Sequence, residues 1–211
     1  MITAAISSLL RHRLWQFVCA LSGGLTVTGR WRRSGGCVVV ANHTSHADTA
    51  VLLAALPSTA QPVFGAAADY WFDVPVRRIV ATSLIGVLPV RRSGDGSYAA
   101  LLAAARPALK AGRTVVIYPE GTRSTNGEVG KFRSGAVRLA RECGVPIVPV
   151  AVLGTGDVLP KGGRFSPAPM RVRIGEPVDS ASVSPEQLRE QVIALRDDVA
   201  PQEVNCYVLA A

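Results

Sequence analysis

Two short runs of β-branched residues constrain the fold of this chain more than any other feature. Val38–Val40 and Val115–Ile117 are apolar without interruption, whereas a strand with one face in solvent alternates polar and apolar residues. Continuous runs are typical of strands buried on both faces of a parallel sheet. Each run leads directly into polar residues, and open parallel sheets carry their chemistry at the carboxyl ends of the strands. The sequence therefore indicates a parallel sheet with a functional site along one edge.

Strand-like and helix-like segments alternate along most of the chain. We expect six strands, at Cys37–Ala41, Pro62–Gly65, Gly86–Arg91, Thr114–Tyr118, Pro146–Leu153 and Met170–Ile174. We expect five helices, at Ala47–Leu56, Val74–Ser83, Tyr98–Ala111, Ser134–Cys143 and Pro185–Val199. This alternation predicts an α/β fold, in which helices flank a single-layer, mostly parallel β-sheet.

The first 28 residues differ from the rest, and we predict that residues 1–28 form an amphipathic helix ahead of one domain at 29–211. Charges at 11–13 interrupt the apolar sequence, so neither apolar piece reaches the roughly 18 residues of a spanning helix. Large apolar residues recur at helical spacing, at Ile6, Leu10, Leu14, Phe17 and Leu21. With Arg11 and Arg13 beside this stripe, the pattern is typical of a helix lying in a membrane surface. Packing of the stripe against the core is the alternative.

The charge of the chain limits its partners. The net charge is +8 at pH 7, and a basic surface suits anionic lipid or a phosphorylated substrate. Aromatic residues make up only 6% of the chain and no base-stacking motif is present, so we expect no nucleic-acid partner. The four cysteines are widely spaced without a C-x-x-C pair, which favours a reduced, intracellular protein.

The first polar segment that follows a buried strand contains a histidine and an aspartate. His43 stands two residues after the strand predicted at Cys37–Ala41, and Asp48 is five residues further on. A carboxylate on one ring N–H orients an imidazole and leaves its other nitrogen to accept a proton. We therefore expect His43 as a general base oriented by Asp48. Ser45 and Asp48 also match a capping box for the next helix, a role compatible with the first, while His43, His46 and Asp48 are alternatively candidate zinc ligands.

The second polar segment, Tyr118–Ser124, offers groups that could bind an anion. Gly121 lets the backbone pass close to a ligand. Thr122 and Arg123 add hydrogen-bond donors, and the planar guanidinium of an arginine suits phosphate. A polar turn whose arginine is merely solvated is the alternative interpretation of this segment alone.

A third predicted strand ends in two positively charged residues. Arg91 and Arg92 follow the apolar residues of the strand predicted at Gly86–Arg91, so two guanidinium groups reach the same edge of the sheet.

The chain contains neither a G-x-S-x-G nucleophile motif nor a Walker motif. A histidine base without a protein nucleophile points to attack by a hydroxyl group of the substrate.

Four segments, in order, resemble the sequence blocks of the glycerophospholipid acyltransferase family. Asn42–Asp48 has the form N-H-x-S-x-x-D, and Gly86–Arg92 has the form G-x-[IL]-x-[VI]-x-R. Tyr118–Ser124 matches [FY]-P-E-G-T-R-S, and Val145–Val150 resembles the proline-containing fourth block. The branch that these blocks resemble is that of the 1-acyl-glycerol-3-phosphate acyltransferases.

The resemblance implies roles for particular residues. His43 would take the proton of the acceptor hydroxyl, Asp48 would orient His43, and the hydroxyl would attack the thioester of acyl-CoA or acyl-carrier protein. The glycerol-phosphate part would be held by Arg92, Glu120, Gly121, Thr122 and Arg123. Pro146 and Pro149 would shape a wall on the acyl side. No metal or other cofactor is implied.

One departure from the family pattern concerns the acceptor. Many members carry a lysine in an A-K-x-E-L-like stretch, and Ala67 stands at that position here. The resemblance implies a lysophospholipid acceptor, phosphatidic acid as product and a peripheral or monotopic protein on the cytoplasmic face of the membrane. The loss of the lysine favours, as an alternative, another lysolipid, amino-lipid or glycolipid acceptor. A metal-dependent hydrolase and a non-catalytic lipid-binding protein are more distant alternatives.

Overall fold

A computed structural model of the chain describes residues 2–67, 85–90, 96–160 and 162–198. The helix predicted at Val74–Ser83 lies outside these residues, as do Arg91 and Arg92. The description of the fold below is confined to the described ranges.

Seven strands form one sheet, in the order β1-β7-β6-β2-β5-β3-β4. The strands are β1 (Leu25–Thr28), β2 (Cys37–Ala41), β3 (Val63–Ala67), β4 (Val87–Val90), β5 (Thr114–Ile117), β6 (Ile147–Leu153) and β7 (Met170–Ile174). Every neighbouring pair is parallel except β6 and β7. The sheet is thus mostly parallel, as predicted.

Helices cover both faces of the sheet. They are α1 (Ile2–Leu21), α2 (Ala47–Ala55), α3 (Ser97–Lys110), α4 (Gly135–Cys143), the single turn α5 (Thr155–Val158) and α6 (Pro185–Asp197), with a 3₁₀ turn at Ser58–Ala60. One buried cluster joins α2 to the sheet through residues such as Leu52 and Val39. A second buried cluster joins α4 and α6 to the opposite face of the sheet and includes Val38, Leu139 and Leu188. Alternate valines of β2 therefore enter different cores, which is why the run carries no polar residue.

The central strands bring the polar segments to one edge. Val40 in β2 lies opposite Ile117 in β5, and Ala41 lies opposite Val150 in β6. Because these three strands are parallel, the residues that follow each of them meet at the same end of the sheet.

Five of the six predicted strands agree closely with observed strands. For the sixth, predicted at Gly86–Arg91, the observed strand is Val87–Val90, and Arg91 lies outside the described residues. The main difference is β1, which was not predicted. The helix at the start of the chain ends at Leu21, and Leu25–Thr28 pairs with β7 in the sheet. The predicted segment 1–28 is therefore a helix followed by an edge strand. The last helix begins at a capping box, in which Ser184 and Gln187 exchange two hydrogen bonds.

Helix α1 lies against α2 with one side and exposes the other. On the packed side, Ser8 Oγ donates to the carbonyl of Ser58 at 2.8 Å, and His12 Nδ1 is 3.0 Å from the carbonyl of Leu53. The exposed side carries Ile6, Leu9, Leu10, Leu14, Phe17 and Leu21. The predicted stripe is thus directed away from the core, and core packing, the alternative, is wrong for these residues.

Arg11 departs from its predicted place beside the stripe. Only 8% of its surface is exposed, and a Cβ on Gly86 would lie 2.4 Å from one of its terminal nitrogens. Burial, followed by the charge of Arg113, lowers the pKa of its guanidinium. Arg13, in contrast, is exposed. Across the described ranges, none of the helices combines the length and the apolar character needed to cross a bilayer.

Candidate active site

The site begins at the carboxyl end of β2. His43 follows Ala41 by two residues, and α2 starts at Ala47. The intervening turn brings His43 Nδ1 to 2.7 Å from Asp48 Oδ2. The Asp48 side chain is fully buried, whereas 17% of the His43 side chain is exposed. The predicted contact between a histidine and a carboxylate is present, and it leaves the ring open to the surface.

Asp48 also organises the turn in which it lies. Its Oδ2 atom accepts the backbone N–H of Thr44 at 2.8 Å and that of Ser45 at 3.0 Å. Its Oδ1 atom accepts the hydroxyl of Thr155. The Ser45 side chain instead accepts the N–H of Ala47 at 3.0 Å, so the capping box is only half formed. Asp48 therefore combines the two roles that the sequence left open, since it contacts the imidazole and caps the backbone of the turn.

Tyr118 covers one face of the imidazole from the end of β5. The rings of Tyr118 and His43 are stacked, with centroids 4.0 Å apart and planes inclined by 12°. The phenol oxygen lies 3.1 Å from Oγ1 of Thr49. Burial, followed by the negative charge of Asp48, raises the pKa of Tyr118 well above its usual value of 10. A neutral, anchored phenol ring thus restricts the rotation of the imidazole.

Glu120 connects the end of β2 to the loop after β5. Its Oε1 atom accepts the backbone N–H of His43 at 2.7 Å, and its Oε2 atom accepts that of Gly130 at 2.9 Å. Burial raises the pKa of this carboxyl, although both N–H donors oppose the change. A Cβ at position 130 would lie 2.9 Å from the same carboxylate, so a larger residue there would displace the carboxylate. Glu120 supports the backbone of the site through both oxygens, and its contact with substrate stays a prediction.

Asn42 extends the pairing of β2 and β6 beyond the end of β2. Its side-chain amide donates to the carbonyl of Val152 at 2.8 Å and accepts the N–H of Val152 at 2.8 Å. On the other side, the carbonyl of His43 accepts the N–H of Ser124 at 2.8 Å. The backbone around His43 is therefore held by β6 on one side and by the loop after β5 on the other.

A groove rich in cations runs from Glu120 over the following loop. The polar and charged residues that line it include Thr122, Arg123, Ser124, Lys131, Arg133 and Arg189, together with Glu128 and Glu186. Arg189 is already engaged with the carbonyls of Val129 and Gly130. Gly121 turns the chain at a φ of +73°, and a Cβ there would lie 2.9 Å from the guanidinium carbon of Arg133. The predicted residues Thr122 and Arg123 thus lie in one groove with Gly121 beside it.

The two predicted acyl-side prolines lie at different positions along the pairing of β2 with β6. Val152 is level with Asn42, and Pro146 precedes it by six residues, which is roughly 20 Å along a strand at about 3.3 Å per residue. Pro146 accepts the N–H of Val38 at the opposite end of β2. Pro149 accepts the N–H of Gly175. Pro146 therefore lies far from His43, whereas Pro149 is in register with Val40, three residues before His43. The acyl-side role of the two prolines stays a prediction, and Arg92 lies outside the described residues.

His46 does not join His43 and Asp48 as a metal-binding group. It lies at the surface, where partial burial and the charges of Arg123 and His43 lower its pKa, while Asp48 opposes the change. Among the described residues, no three histidine, cysteine, aspartate or glutamate side chains are placed to hold a metal ion. The donors already bound to both oxygens of Asp48 account for that carboxylate without a cation.

Two contributors to the site were not predicted. Thr155 reaches Asp48 from the end of β6, 107 residues further along the chain. In the sequence, Gly154-Thr155-Gly156 shows only a fragment of a dinucleotide motif. Tyr118 was predicted as part of a block, without its ring contact to His43. The contact of Thr155 with Asp48 could be found only from the three-dimensional structure, because no rule of sequence spacing connects the ends of two different strands.

The chain is similar in sequence and fold to known acyltransferases. The family profile described as "Acyltransferase" matches residues 24–153, which is more than half of the chain. The crystal structure of PlsC, the 1-acyl-sn-glycerophosphate acyltransferase of Thermotoga maritima, superimposes with a TM-score of 0.70 at 26% sequence identity. The match covers 89% of this chain and 76% of that one.

Curated relatives carry related names. The 1-acyl-sn-glycerol-3-phosphate acyltransferase BAT2 of Brassica napus, a chloroplastic protein, is 36% identical over 144 residues, or 67% of this chain. The 1-acyl-sn-glycerol-3-phosphate acyltransferase alpha of Mus musculus is 30% identical over 165 residues, or 77% of this chain. The matched regions cover 40% and 55% of these two relatives. The chain therefore spans about half the length of the curated relatives it matches, or less.

Proposed function

Because this chain belongs to the acyltransferase family, we propose that it transfers a fatty acyl group from a thioester to the free hydroxyl of 1-acyl-glycerol-3-phosphate. The product is phosphatidic acid. The names of the relatives motivate this choice of acceptor. The observation that carries the acyl transfer is the hydrogen bond of 2.7 Å between His43 Nδ1 and Asp48 Oδ2 beneath a partly exposed imidazole.

His43 acts as the general base in this proposal. Asp48 holds the proton on Nδ1, so Nε2 carries the lone pair that accepts the hydroxyl proton. The hydroxyl oxygen attacks the thioester carbonyl, and a carbon–oxygen bond forms as the carbon–sulfur bond breaks. The imidazolium then returns its proton to the departing thiolate, which leaves as a thiol. Asp48 remains ionised throughout and stabilises the imidazolium.

The cationic groove is the proposed site of the acceptor phosphate. Arg123 and Lys131 line it together with Thr122, and the groove starts at Glu120, whose carboxylate is bonded to the backbone N–H of His43. An acceptor whose phosphate lies in the groove would therefore have its hydroxyl near the imidazole. Arginine and lysine on an exposed loop suit a dianionic group of this kind.

The donor and the location complete the proposal. Acyl-CoA and acyl-carrier protein are both thioesters that this chemistry can use. The exposed apolar residues of α1 favour action at a membrane surface, where lysolipid is concentrated, and we assign the protein to the cytoplasmic face as a peripheral protein. No metal ion takes part in the proposed reaction.

The direct test supplies purified protein with lysophosphatidic acid and either acyl-CoA or acyl-carrier protein, and measures phosphatidic acid and free thiol. We expect both products in equal amounts with one of the donors. His43→Ala is the matched control, and loss of a general base lowers the rate by on the order of 10²–10⁴-fold. A folded His43→Ala variant with the rate of the unaltered protein would rule out the proposed role of this residue.

A second acceptor is favoured by one observation. Ala67 is the last residue of β3, in register with Val90 at the end of β4, so it stands at the same edge as the proposed site but supplies no charge. An acceptor with fewer negative charges would need fewer cations there. A panel of lysolipids, an amino-lipid and a glycolipid distinguishes the two acceptor classes. Faster transfer to a lipid without a phosphomonoester than to lysophosphatidic acid would identify that lipid as the acceptor.

A further inference from the structure

The buried carboxylate of Asp48 is held at both of its oxygens, and only one of them faces the imidazole. Oδ2 takes three N–H groups, from the ring of His43 and from the backbone of Thr44 and Ser45. Oδ1 takes the hydroxyl of Thr155. Without that fourth contact, the Oδ1 side of the carboxylate would have no hydrogen bond from the described residues.

The direction of the hydroxyl groups follows from donor counting. The hydroxyl of Thr155 has a single proton, and this proton is committed to Asp48. Thr155 Oγ1 also lies 3.1 Å from Oγ1 of Thr44, so in that contact Thr44 donates and Thr155 accepts. A chain of two hydroxyls thus leads into the carboxylate. Acceptance of a bond by Thr155 strengthens the bond that it donates.

The backbone around Thr155 is shaped to deliver this hydroxyl. Gly154 adopts a φ of +80°, and a Cβ there would lie 2.2 Å from the carbonyl oxygen of Pro169. The chain therefore turns sharply at the end of β6, and Thr155 becomes the first residue of α5. Its side chain is completely buried. Thr155 is fixed by a strand end and a tight turn, so the hydroxyl has little freedom to move.

We propose that Thr155 is a positioning residue of the His43–Asp48 pair, which fixes the plane of the carboxylate so that Oδ2 stays on the Nδ1 proton. Rotation of the carboxylate would move Oδ2 off the ring and allow the imidazole to change tautomer. Only the tautomer with its proton on Nδ1 leaves Nε2 free to accept a proton. This inference rests on the proposed acyl transfer, and Thr155 contributes to it without touching substrate.

The kinetic test compares Thr155→Val with Thr155→Ser. Valine keeps the shape and removes the hydroxyl, so we expect kcat to fall by on the order of tenfold or more, because small displacements at a reacting group are costly. The KM values for both substrates should change by less than about twofold, since Thr155 makes no contact in the groove. Serine restores the hydroxyl and should restore most of kcat. Should Thr155→Val fail to fold, Thr155→Ala carries the same test because it adds no atoms.

Thr114→Val is the matched control. Thr114 is equally buried, with 0% exposure, and its hydroxyl contacts Cys37 Sγ at 3.5 Å at the amino end of the sheet. The same chemical change there should leave kcat unaltered. An equal loss of kcat in both variants would overturn the proposal, since a general loss of packing would then explain the effect.

A second measurement does not depend on turnover. The chain has three histidines, so protein labelled with ¹⁵N-histidine gives few ring signals, and His43→Ala identifies that of His43. We expect a proton on Nδ1 in the unaltered protein and a mixture of tautomers in Thr155→Val. An unchanged tautomer together with an unchanged kcat overturns the proposal. Absence of acyl transfer in the unaltered protein would instead refute the proposed function, and the ring signals would still test the role of Thr155.

Discussion

His43 stands between two buried groups, with Asp48 at its ring edge and Tyr118 on its ring face. The first contact sets the tautomer, and the second sets the plane of the ring. Both partners lie on elements other than the one that carries His43, so the sheet and α2 have to be assembled before the proposed base is oriented. The geometry of the proposed catalytic site is therefore a property of the folded core rather than of a flexible loop.

Asp48→Asn tests the carboxylate directly. An amide presents one oxygen and one NH₂ group to four donors, so at least one buried donor loses its acceptor and the imidazole loses its anionic partner. We expect the rate of acyl transfer to fall by on the order of 10²-fold or more. The free energy of unfolding should fall by roughly 1–3 kcal/mol. A loss of stability with full activity, measured by urea unfolding beside the transfer assay, would mean that Asp48 only caps the turn.

Arg123→Ala tests the cationic groove. If the guanidinium binds the acceptor phosphate equally in the ground state and the transition state, KM for the acceptor rises and kcat is nearly unchanged. We expect a rise of on the order of tenfold, the equivalent of about 1.4 kcal/mol. Arg32→Ala is the control, because Arg32 is an exposed arginine paired with Glu176 before the amino end of β2. An equal rise in KM for the thioester would assign Arg123 to the donor instead.

Tyr118 gives a prediction for alkaline pH. The folded phenol has a pKa well above 10, whereas the unfolded phenol ionises near its usual value of about 10. The raised pKa means that the folded state retains the proton longer, so this contribution to stability is complete below pH 10 and declines as pH rises above it. Tyr118→Phe lacks the group that titrates. The difference in unfolding free energy between the two proteins should therefore shrink above about pH 10, and a constant difference would contradict this.

The contact of His43 with Asp48 could be predicted because the two residues are only five positions apart, within the turn that follows a strand. The contacts of Glu120 could not, because sequence identifies a carboxylate without identifying its donors, and here both donors are backbone N–H groups. Thr155 could not be predicted for a related reason, since its contact with Asp48 arises from the pairing of β6 with β2. Local chemistry was predictable, and contacts between strand ends were not.

At the scale of elements, Asn42 couples β2 to β6 where their backbone pairing stops. Asn42→Ala leaves a buried N–H and a buried carbonyl of Val152 without their partners, at roughly 1–3 kcal/mol for each. We expect a lower unfolding free energy in urea and a lower kcat, because His43 is the next residue. Ser184→Ala is the control, since it removes the cap of α6 at a cost of roughly 0.5–2 kcal/mol far along the chain. Loss of activity in both variants to the same extent would show that stability alone limits turnover.

The strands with β-branched runs were predicted with nearly correct bounds, because continuous burial leaves a clear pattern. The short strand β1 was missed for the opposite reason. Leu25–Thr28 is only four residues long and half of them are threonines, and its partner β7 lies at the far end of the sequence. The reversal of direction between β6 and β7 is likewise a tertiary property. Sequence patterns identify elements that are buried on both faces more readily than edge strands, which are only partly buried.

At the scale of the whole molecule, α1 joins the core and still presents an apolar surface. The spacing of its large residues predicted the exposed stripe correctly, but not that Arg11 would lie beneath it against Gly86. A long arginine side chain can extend into a partly polar interior, which helical periodicity does not reveal. Any electrostatic contribution of this helix to a membrane contact therefore falls to exposed residues such as Arg13.

The last prediction concerns this apolar surface, defined by Ile6, Leu9, Leu10, Leu14, Phe17 and Leu21. We expect it to dock on a bilayer, since full burial of one large apolar side chain contributes about 1.5–3 kcal/mol. Leu10→Gln combined with Phe17→Gln removes two of the most exposed members, at 65% and 61%. The double variant should bind phosphatidylcholine vesicles at least tenfold more weakly in sedimentation, because about 1.4 kcal/mol corresponds to tenfold.

These substitutions are preferable to a chain that begins at Gly29, because removal of β1 would also damage the sheet. Both side chains are exposed, so the unfolding free energy should change by less than about 0.5 kcal/mol. Phe165→Gln is the matched control, as Phe165 is 58% exposed in the segment between α5 and β7. The double variant should act slowly on lysolipid in vesicles while it keeps its activity on a short-chain, water-soluble acceptor, because the site around His43 is untouched. Equal vesicle binding by the double variant and the unaltered protein would show that α1 is not the docking element.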